Sequence, residues 1–344
     1  MKALVYTGTR RVEMQTAPDP SPAPNEALVR VSATGICGSD MAGFLGLSAR
    51  RKPPLVLGHE AVGAVVQMPS APRPHGGEWP FAVGRRAVVN PLFPCGACAA
   101  CRAGKPNICS DWSLLGMDRR AGAFAAYVAV PAANIVPIPD DLPDHRAAMI
   151  EPLANGVHIF GLISGPRFGS LVIFGAGTQG ILLVRMARLL GYRDIVSLDV
   201  NPLRLETAKE MGARHALDVR STDPIKAVRE LFPDGADTVI EAHGEAATRS
   251  AAVQVVRKGG EVILLGLLEA TSAIDFNLVV RNEIRLQGSF AYTPDDFARS
   301  ERLIATGDVD LSRWTMTRPM EDGQAAFDLM ADNPGATLKV VLTL

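Results

Sequence analysis

The chain has 344 residues and an almost balanced charge, with 35 Lys and Arg against 36 Asp and Glu. This length exceeds what one small hydrophobic core usually supports, so it predicts two domains. The charge offers no basic excess to nucleic acid or to an anionic membrane surface. No stretch of the sequence approaches the roughly 20 apolar residues of a membrane span. We therefore expect neither nucleic acid nor membrane as a partner.

The chain contains five cysteines, and four of them fall between Cys95 and Cys109. A disulfide framework is typical of short secreted chains, whereas a tight cluster in a long chain favours metal binding. The opening residues Met1–Tyr6 carry one cation and no long apolar run, which is not the pattern of a secretory signal. Together these features predict the reducing cytoplasm.

The chain up to about Pro139 predicts a strand-rich domain with many loops. Its apolar runs are short and are broken by Gly and Pro. The runs that predict strands are Met1–Tyr6, Ala27–Val31, Ala61–Val66, Arg86–Val89 and Tyr127–Val130. Between the second and third of these runs lies Arg50-Arg51-Lys52, which we interpret as a solvated charge run rather than an anion-binding loop.

Three separate segments offer ligands for a catalytic metal. Cys37 lies in G-I-C-G-S-D, His59 and Glu60 lie in L-G-H-E, and Glu151 lies in I-E-P-L. Each residue alone is unremarkable, since a single Cys is often buried and a single His or Glu is usually at the surface. Together they supply one sulfur, one nitrogen and two carboxylates, a set that suits zinc. A catalytic zinc needs three protein ligands and one open position.

The cysteine cluster has the spacing C-x2-C-x2-C-x7-C, formed by Cys95, Cys98, Cys101 and Cys109. Four thiolates within one short loop can surround a zinc ion tetrahedrally and leave no open position, which makes the site structural. An iron–sulfur cluster also takes four cysteines, and free thiols are a further alternative. Because the bacterial cluster spacing C-x2-C-x2-C-x3-C is absent, we favour zinc.

From Leu171 the pattern changes to alternating strands and helices. This alternation predicts a parallel, doubly wound sheet and an α/β fold class. The predicted strands are Leu171–Phe174, Ile195–Asp199, Thr238–Glu241, Glu261–Leu265 and Ile284–Gln287, and the predicted helices include Ile181–Leu190 and Leu203–Met211. From about Ala291 the pattern is mixed again and ends in a strand at Thr337–Leu344. We expect this tail to pack on the first domain.

The first predicted strand of that sheet leads into a glycine motif. Gly175, Gly177 and Gly180 form G-x-G-x-x-G between a strand and a helix, the arrangement that binds a dinucleotide pyrophosphate at a helix N-terminus. The remaining residues predicted to bind the cofactor are Thr178, Gln179, Asp199, Arg204 and Gly266. Asp199 lies 19 residues after Gly180, where a carboxylate binds the ribose 2′-hydroxyl of NAD and repels the 2′-phosphate of NADP. Arg204 leaves NADP open, because an arginine there can accommodate that phosphate.

The order of these motifs resembles a known family. G-x-C-G-S-D, G-H-E-A-x-G-x-V, the four-cysteine loop, E-P-L and G-x-G-x-x-G follow one another as in the zinc-containing medium-chain dehydrogenases/reductases, in particular the polyol (sorbitol) dehydrogenase-like branch. The resemblance implies a GroES-like, mostly-β catalytic domain at 1–150 and 291–344, interrupted by a Rossmann NAD-binding domain at 151–290. It also implies a homodimer or a homotetramer.

The resemblance further implies roles for the candidate residues. Cys37 and His59 would ligate the catalytic zinc, and Glu60 and Glu151 would bind it directly or through water. A carboxylate at Glu151, where ordinary alcohol dehydrogenases carry cysteine, points to the polyol branch. Ser39 resembles the first hydroxyl of a proton relay, while Ala42 occupies the position at which many relatives carry the next relay group, a histidine.

These implications predict an NAD-dependent, zinc-dependent oxidoreductase that interconverts a secondary alcohol (a polyol, sugar alcohol or vicinal diol) and its ketone. A threonine-type amino-alcohol dehydrogenase or a primary-alcohol dehydrogenase of the same family is the alternative. Two further alternatives are a zinc-ribbon binding module without catalysis and a reductase that has lost its catalytic metal.

Overall fold

The computed structural model describes residues 1–73, 76–118, 120–166 and 168–344. These residues form two compact units, one comprising Met1–Pro152 with Thr293–Leu344 and the other comprising Leu153–Tyr292. Within the described ranges, no helix combines the length and apolar character that crossing a membrane requires.

The described residues form eighteen strands and eleven α-helices. The strands are β1 Lys2–Gly8, β2 Arg11–Thr16, β3 Glu26–Gly35, β4 Leu55–Val56, β5 Glu60–Gln67, β6 Arg86–Val89, β7 Leu92–Phe93, β8 Ser113–Leu114, β9 Tyr127–Pro131, β10 Ile135–Pro137, β11 Leu171–Phe174, β12 Ile195–Asp199, β13 His215–Asp218, β14 Ala236–Glu241, β15 Val256–Leu264, β16 Arg285–Gly288, β17 Thr315–Pro319 and β18 Lys339–Thr343.

The helices are α1 Gly38–Phe44, α2 Ala99–Arg102, α3 Asp144–Ala147, α4 Ile150–Leu162, α5 Thr178–Leu189, α6 Pro202–Met211, α7 Pro224–Leu231, α8 Ala246–Val255, α9 Phe276–Arg281, α10 Pro294–Ala305 and α11 Gly323–Asp332. Short 3-10 helices lie at Pro106–Ile108, Ala132–Asn134, Ser312–Trp314 and Met320–Asp322.

The first unit is built on a mostly antiparallel sheet of seven strands. The strands follow the order β10-β6-β5-β3-β18-β17, and β9 also pairs with β3. The C-terminal strand β18 pairs with the end of β3, so the tail of the chain is hydrogen-bonded to its beginning. Phe327 of α11 reinforces this connection, since its ring packs 4.9 Å from Phe44 and 5.9 Å from Phe124 between ring centroids.

The second unit contains one parallel sheet of six strands in the order β13-β12-β11-β14-β15-β16. This order is that of a doubly wound dinucleotide-binding sheet, in which the direction of winding reverses beside the first strand. Its first strand β11 is entirely apolar and buried, and the strands on either side of it bury Val196 and Val239 completely, which is expected where helices cover both faces. The parallel sheet confirms the predicted α/β class.

Most predicted elements of the second unit coincide with observed ones, but one strand escaped prediction. The strand β13 is only four residues long, and each of its residues is half-buried. It lies at the edge of the sheet and pairs with β12 alone among the described strands. Because its sequence H-A-L-D lacks an apolar run, no pattern in the chain indicated it.

Candidate metal centres and dinucleotide site

Strand pairing brings the separate metal-ligand segments together in the first unit. Strands β3 and β5 are antiparallel, and Gly35 at the end of β3 pairs with Glu60 at the start of β5. Cys37 follows β3 by two residues, and His59 directly precedes β5. The register of two strands therefore places a thiol, an imidazole and a carboxylate at one end of the sheet.

The donor atoms of Cys37, His59 and Glu60 all lie within 4.8 Å of one another. His59 and Glu60 are buried, at 3 % and 1 % exposure, while Cys37 is partly accessible. This set of one sulfur, one nitrogen and one oxygen donor fits a catalytic zinc, because two of its residues are enclosed by protein and the third is accessible. Glu151 is also buried, in the first turn of α4, but it does not belong to this three-residue group. Its role as a ligand stays a prediction.

The carboxylate of Asp40 lies beside the imidazole of His59. Its Oδ1 lies 3.4 Å from Nδ1 of His59 and accepts a hydrogen bond from the N–H of Gly58, while its Oδ2 accepts one from the N–H of Cys37. Burial opposes ionisation of Asp40, but His59 and Arg51 outweigh it and hold the pKa of the carboxyl at about 2. A carboxylate behind a ligating imidazole fixes the orientation of the ring.

Glu60 is held by a buried lysine. Nζ of Lys339 donates to both carboxylate oxygens of Glu60, at 2.6 and 2.7 Å, and to the carbonyl of Ile36 at 2.9 Å. Burial lowers the pKa of Lys339, but the charges of Glu60, Cys37 and Glu151 raise it more, so the ammonium form is favoured. A Cβ on Gly35 would lie 1.9 Å from Oε2 of Glu60, so only glycine leaves room for this carboxylate.

Ser39 lies in the first turn of α1, two residues after Cys37, and its hydroxyl is partly accessible. Oγ of Ser39 accepts a hydrogen bond from Nη2 of Arg51 at 3.0 Å. The interpretation of Arg50-Arg51-Lys52 as a solvated run is therefore wrong for its middle residue. Arg51 is only 4 % exposed, whereas Arg50 and Lys52 are exposed. The charge pattern did not reveal this burial, because the burial of Arg51 depends on its packing against helix α1.

The four-cysteine loop forms a second metal-binding group. Its sulfurs are 3.5 Å apart between Cys98 and Cys101, 3.8 Å between Cys98 and Cys109, and 3.4 Å between Cys109 and Cys95. A tetrahedral zinc with bonds of about 2.3 Å requires sulfurs about 3.8 Å apart, so the loop fits the ion. Backbone N–H groups of Cys101 and Ser110 point at Cys98 and lower the pKa of its thiol to about 5. The loop thus stabilises the thiolate of Cys98, the form that a metal requires, whereas burial and the neighbouring sulfurs raise the pKa of Cys101 to about 12 in the absence of an ion.

The glycine motif of the second unit forms a tight turn between β11 and α5. Gly175 has a φ of +96°, a conformation that side chains disfavour, and Gly177 is the N-cap of α5. A Cβ on Gly180 would lie 1.8 Å from the carbonyl oxygen of Gly175, so the helix could not approach the turn. Thr178 and Gln179 occupy the first turn of α5. Their backbone N–H groups are at the end of the helix where a phosphate binds.

Asp199 and Arg204 border this turn. Oδ2 of Asp199 accepts a hydrogen bond from the N–H of Ala176 at 2.6 Å, and Oδ1 accepts one from the N–H of Asn201 at 2.8 Å. A Cβ on Gly177 would lie 4.0 Å from Nη1 of Arg204, so the guanidinium is beside the turn as well. Burial lowers the pKa of Arg204, and Asp199 partly restores it. Gly266 follows β15 and packs directly on Gly244. A Cβ on Gly266 would lie 2.1 Å from the backbone nitrogen of Gly244.

Two residues of the first metal centre were missed by sequence reasoning. Asp40 stands in the quoted motif G-S-D, three residues after Cys37, so its position within one helical turn was an available signal. Lys339 is a single cation at the start of an apolar strand, and it is 2 % exposed. A lysine in such a run needs a buried partner, but nothing local identifies Glu60 as that partner.

Models of two protein families match this chain. The model described as "Alcohol dehydrogenase GroES-like domain" matches residues 23–140, and the model described as "Zinc-binding dehydrogenase" matches residues 180–306. The first match lies in the strand-rich unit, whereas the second covers most of the unit with the parallel sheet and ends within the C-terminal part of the strand-rich unit.

Individual proteins are similar over the whole chain. A sorbitol dehydrogenase of Bacillus subtilis (strain 168) is 32% identical over 99% of this chain and 97% of its own length. An L-threonine 3-dehydrogenase of Xanthomonas oryzae pv. oryzae (strain MAFF 311018) is 32% identical over 100% of this chain and 99% of its own length. The crystal structure of a putative zinc-binding dehydrogenase of Sinorhizobium meliloti 1021, bound to NADP, superposes with a TM-score of 0.89 at 31% identity, covering 100% and 99% of the two chains.

Proposed function

Since the chain belongs to the zinc-containing medium-chain dehydrogenase/reductase family, we propose that it interconverts a secondary alcohol, namely a polyol, sugar alcohol or vicinal diol, and the corresponding ketone. It is a zinc-dependent oxidoreductase that uses a nicotinamide dinucleotide. The observation that carries the proposal is the convergence of Cys37, His59 and Glu60 donors within 4.8 Å. The nearby carboxylate of Glu151 favours polyols, by its resemblance to the polyol branch.

Different side chains of the site would have different roles in this reaction. When bound, zinc withdraws electrons from the alcohol oxygen, and the nicotinamide ring accepts the hydride. Cys37 and His59 would hold the ion, while Asp40 keeps the imidazole of His59 oriented. Ser39 would take the hydroxyl proton of the alcohol. Lys339 donates to both oxygens of Glu60 and balances its charge, and each oxygen keeps a lone pair through which Glu60 would bind the ion directly or through water.

A panel of alcohols tests the substrate class. We expect the purified protein to reduce NAD with at least one of sorbitol, galactitol and 2,3-butanediol, and to hold about two zinc ions per chain. Turnover of ethanol alone would overturn the proposal. Turnover of threonine alone would favour the amino-alcohol alternative, to which the L-threonine 3-dehydrogenase relative gives weight. The lack of a relay histidine at Ala42 argues against that alternative. A single zinc per chain, with full turnover after Cys37→Ser, would indicate a reductase without a catalytic metal.

We propose NAD rather than NADP as the cofactor. The carboxylate of Asp199 lies at the glycine turn, where it can accept a hydrogen bond from a ribose hydroxyl but repels a phosphate. Replacing Asp199 with Gly removes a charged acceptor, so we expect kcat/KM for NAD to fall about tenfold or more and the preference to move toward NADP. If the wild-type protein prefers NADP, as Arg204 would allow, the proposal is wrong.

Two further properties follow from the proposed enzyme. The five cysteines are all free, so we propose a reducing, cytoplasmic compartment, where thiolates stay available to metals.

We also propose that the protein is a homodimer, or a tetramer built from such dimers, paired through β16. That strand is the last in the order of its sheet, and apolar side chains near it in sequence are exposed, among them Leu267, Phe276 and Val280 at 78 %, 63 % and 73 %. Pairing with a second copy would cover both the open strand and these side chains.

A further inference from the structure

Arg51 is a buried cation whose position the metal site alone does not explain. Its side chain is 4 % exposed, although it stands between two exposed basic residues. Removing a guanidinium from water is costly unless charges and hydrogen bonds compensate it. Nε of Arg51 nevertheless has no hydrogen-bond partner among the described residues. The compensation must therefore come from a hydrogen bond at another nitrogen and from a nearby charge.

Those groups are Ser39 and Asp40. Nη2 of Arg51 donates to Oγ of Ser39 at 3.0 Å, and Nε lies 3.8 Å from Oδ1 of Asp40. The two partners follow Cys37 in the chain by two and three residues. Arg51 thus links the hydroxyl predicted to receive the proton of the alcohol with the carboxylate that orients His59.

The helix α1 is shaped to receive this arginine. Ser39 and Gly43 are four residues apart and therefore lie on the same face of the helix. A Cβ on Gly43 would lie 3.0 Å from Cβ and Cδ of Arg51, so the aliphatic part of the arginine covers the glycine while its head group reaches Ser39. At the start of the arginine, the backbone N–H donates to Oγ of Ser48 at 3.2 Å. The side chain is held at both ends.

The chemistry of the two groups defines what Arg51 can do. A serine hydroxyl has one proton and two acceptor sites, while a guanidinium has five donors, no acceptor, and a permanent charge. The hydrogen bond from Arg51 fills one acceptor site of Ser39. The other site is left for an incoming proton, and the proton that Ser39 already carries can leave. Arg51 cannot receive that proton, and neither can the methyl group of Ala42, so water is the acceptor in the transfer that we propose.

We propose that Arg51 is a positioning residue for Ser39 and compensates for the relay group that is missing at Ala42. As the alcohol is oxidised, its hydroxyl proton moves to Oγ of Ser39 while the proton of Ser39 moves to water, and the C–H bond gives its hydride to NAD⁺. The products are the ketone, NADH and one proton. The fixed charge of Arg51 stabilises negative charge that develops on the oxygens in this transfer. This inference rests on the proposed dehydrogenase function.

The test compares Arg51→Gln, Ser39→Ala, the double variant Ser39→Ala/Arg51→Gln, and Arg51→Lys, with Lys52→Gln as a control that removes an exposed charge next to Arg51. We expect Arg51→Gln to lower kcat about 10- to 100-fold, at or below the lower end of the range for assisted proton transfer because Arg51 only positions the relay hydroxyl, with KM within about threefold of wild type. The double variant should be no slower than Ser39→Ala, because Arg51 acts through that hydroxyl. Arg51→Lys should restore part of the rate, and Lys52→Gln should behave as wild type.

Zinc affinity, measured by competition with a chelator, separates this role from a structural one. If Arg51 acts on Ser39, the zinc affinity of Arg51→Gln stays within about threefold of wild type, whereas Asp40→Asn loses about 10- to 100-fold. The inference is overturned if Arg51→Gln turns over like wild type, if its effect multiplies with that of Ser39→Ala, or if its zinc affinity falls as in Asp40→Asn. Should Arg51→Gln not fold, Arg51→Lys and Gly43→Ala decide by the same measurements. Failure of the proposed function is distinct, since the wild-type protein would then oxidise no alcohol of the panel.

Discussion

Two buried ion pairs flank the donors Cys37 and His59. Asp40 faces Arg51, and Glu60 faces Lys339, with exposures between 0 % and 4 % for all four side chains. Each pair is neutral, so the thiolate of Cys37 and the carboxylate of Glu151 would leave a net charge of about −2, which one zinc ion neutralises. The sequence distributes these charges over three distant segments. At the residue scale, the charges of these side chains would therefore balance a single bound zinc ion.

Lys339→Met should destabilise the protein strongly. It leaves the carboxylate of Glu60 buried without its partner, which costs about 3–5 kcal/mol in the free energy of unfolding. Glu60→Gln combined with Lys339→Met should recover part of this loss, because the uncompensated charge is gone. Urea unfolding of the zinc-loaded protein measures both. Lys2→Met is the control, since Lys2 pairs with Glu321 at the surface and should cost less than about 1 kcal/mol. Equal losses in the two single variants would contradict the prediction.

Among the elements, the four-cysteine loop and the glycine turn are locally self-sufficient. Each takes its shape from residues close together in the chain: four sulfurs within Cys95–Cys109, and three glycines within Gly175–Gly180. Such elements can be perturbed without disturbing the first metal centre, because they share none of its residues.

Cys98→Ser should remove one zinc and leave the other. Three sulfurs and a hydroxyl bind zinc poorly at neutral pH, so elemental analysis should give about one zinc per chain instead of two. Trypsin should then cut faster after Arg102, which is exposed within the loop and is followed by Ala103. Cys37→Ser is the matched variant, and it should lose the other zinc while the loop keeps its resistance to trypsin. Retention of two zinc ions in Cys98→Ser would show that the loop holds none.

Gly180→Ala should abolish the close contact between α5 and the glycine turn. The added Cβ would meet the carbonyl of Gly175 at 1.8 Å, so the N-terminus of the helix must move away. We expect the dissociation constant for NADH, measured by fluorescence titration, to rise at least about tenfold, or 1.4 kcal/mol. Gly161→Ala in α4 is the control, because a Cβ there meets nothing within 4 Å. That variant should bind NADH normally and gain about 0.5–1 kcal/mol in stability. Normal NADH binding by Gly180→Ala would refute the assignment of the turn.

At the scale of the whole molecule, the edge strand β16 is where we propose that a second copy binds. Among the described strands, β16 pairs with β15 alone. Exposed edge strands with apolar neighbours promote association, and natural proteins usually cover or charge them. Val280, on α9, is 73 % exposed, and β16 follows this helix within a few residues. A second copy bound at this edge would cover both the unpaired side of β16 and the exposed apolar side chains beside it.

Val280→Asp should convert the protein to monomers or weaken the dimer markedly. A carboxylate buried at an interface without a partner costs several kcal/mol, which raises the dimer dissociation constant by a large factor. Sedimentation velocity over a range of concentrations measures the change. Val83→Asp serves as control, since Val83 is exposed at 62 % in the other unit and should leave the mass unchanged. A wild-type protein that sediments as a monomer would refute the pairing.

The sequence by itself determined the elements whose determinants are close together in the chain. The strand, glycine turn and helix at Leu171–Leu190, the acidic end of β12 at Asp199, and the four-cysteine spacing are local patterns fixed by backbone geometry. The identities of Cys37, His59, Glu60 and Glu151 also came from the sequence, where their donor atoms suggested a zinc site and the resemblance to a family supported it. Short elements without periodicity, such as β13, could not be predicted, because pairing in the sheet decides them.

Only the tertiary structure decided which residues support the site. Lys339 lies 279 positions from Glu60, and the two meet because β18 and β5 pair with β3 from opposite sides. Arg51 looks solvated in the sequence and is buried because Gly43 leaves space for it. Burial and charge compensation depend on contacts between distant segments, and no local pattern encodes those contacts. The sequence indicates the candidate metal ligands, and the packing of the sheet supplies the charges that lie beside them.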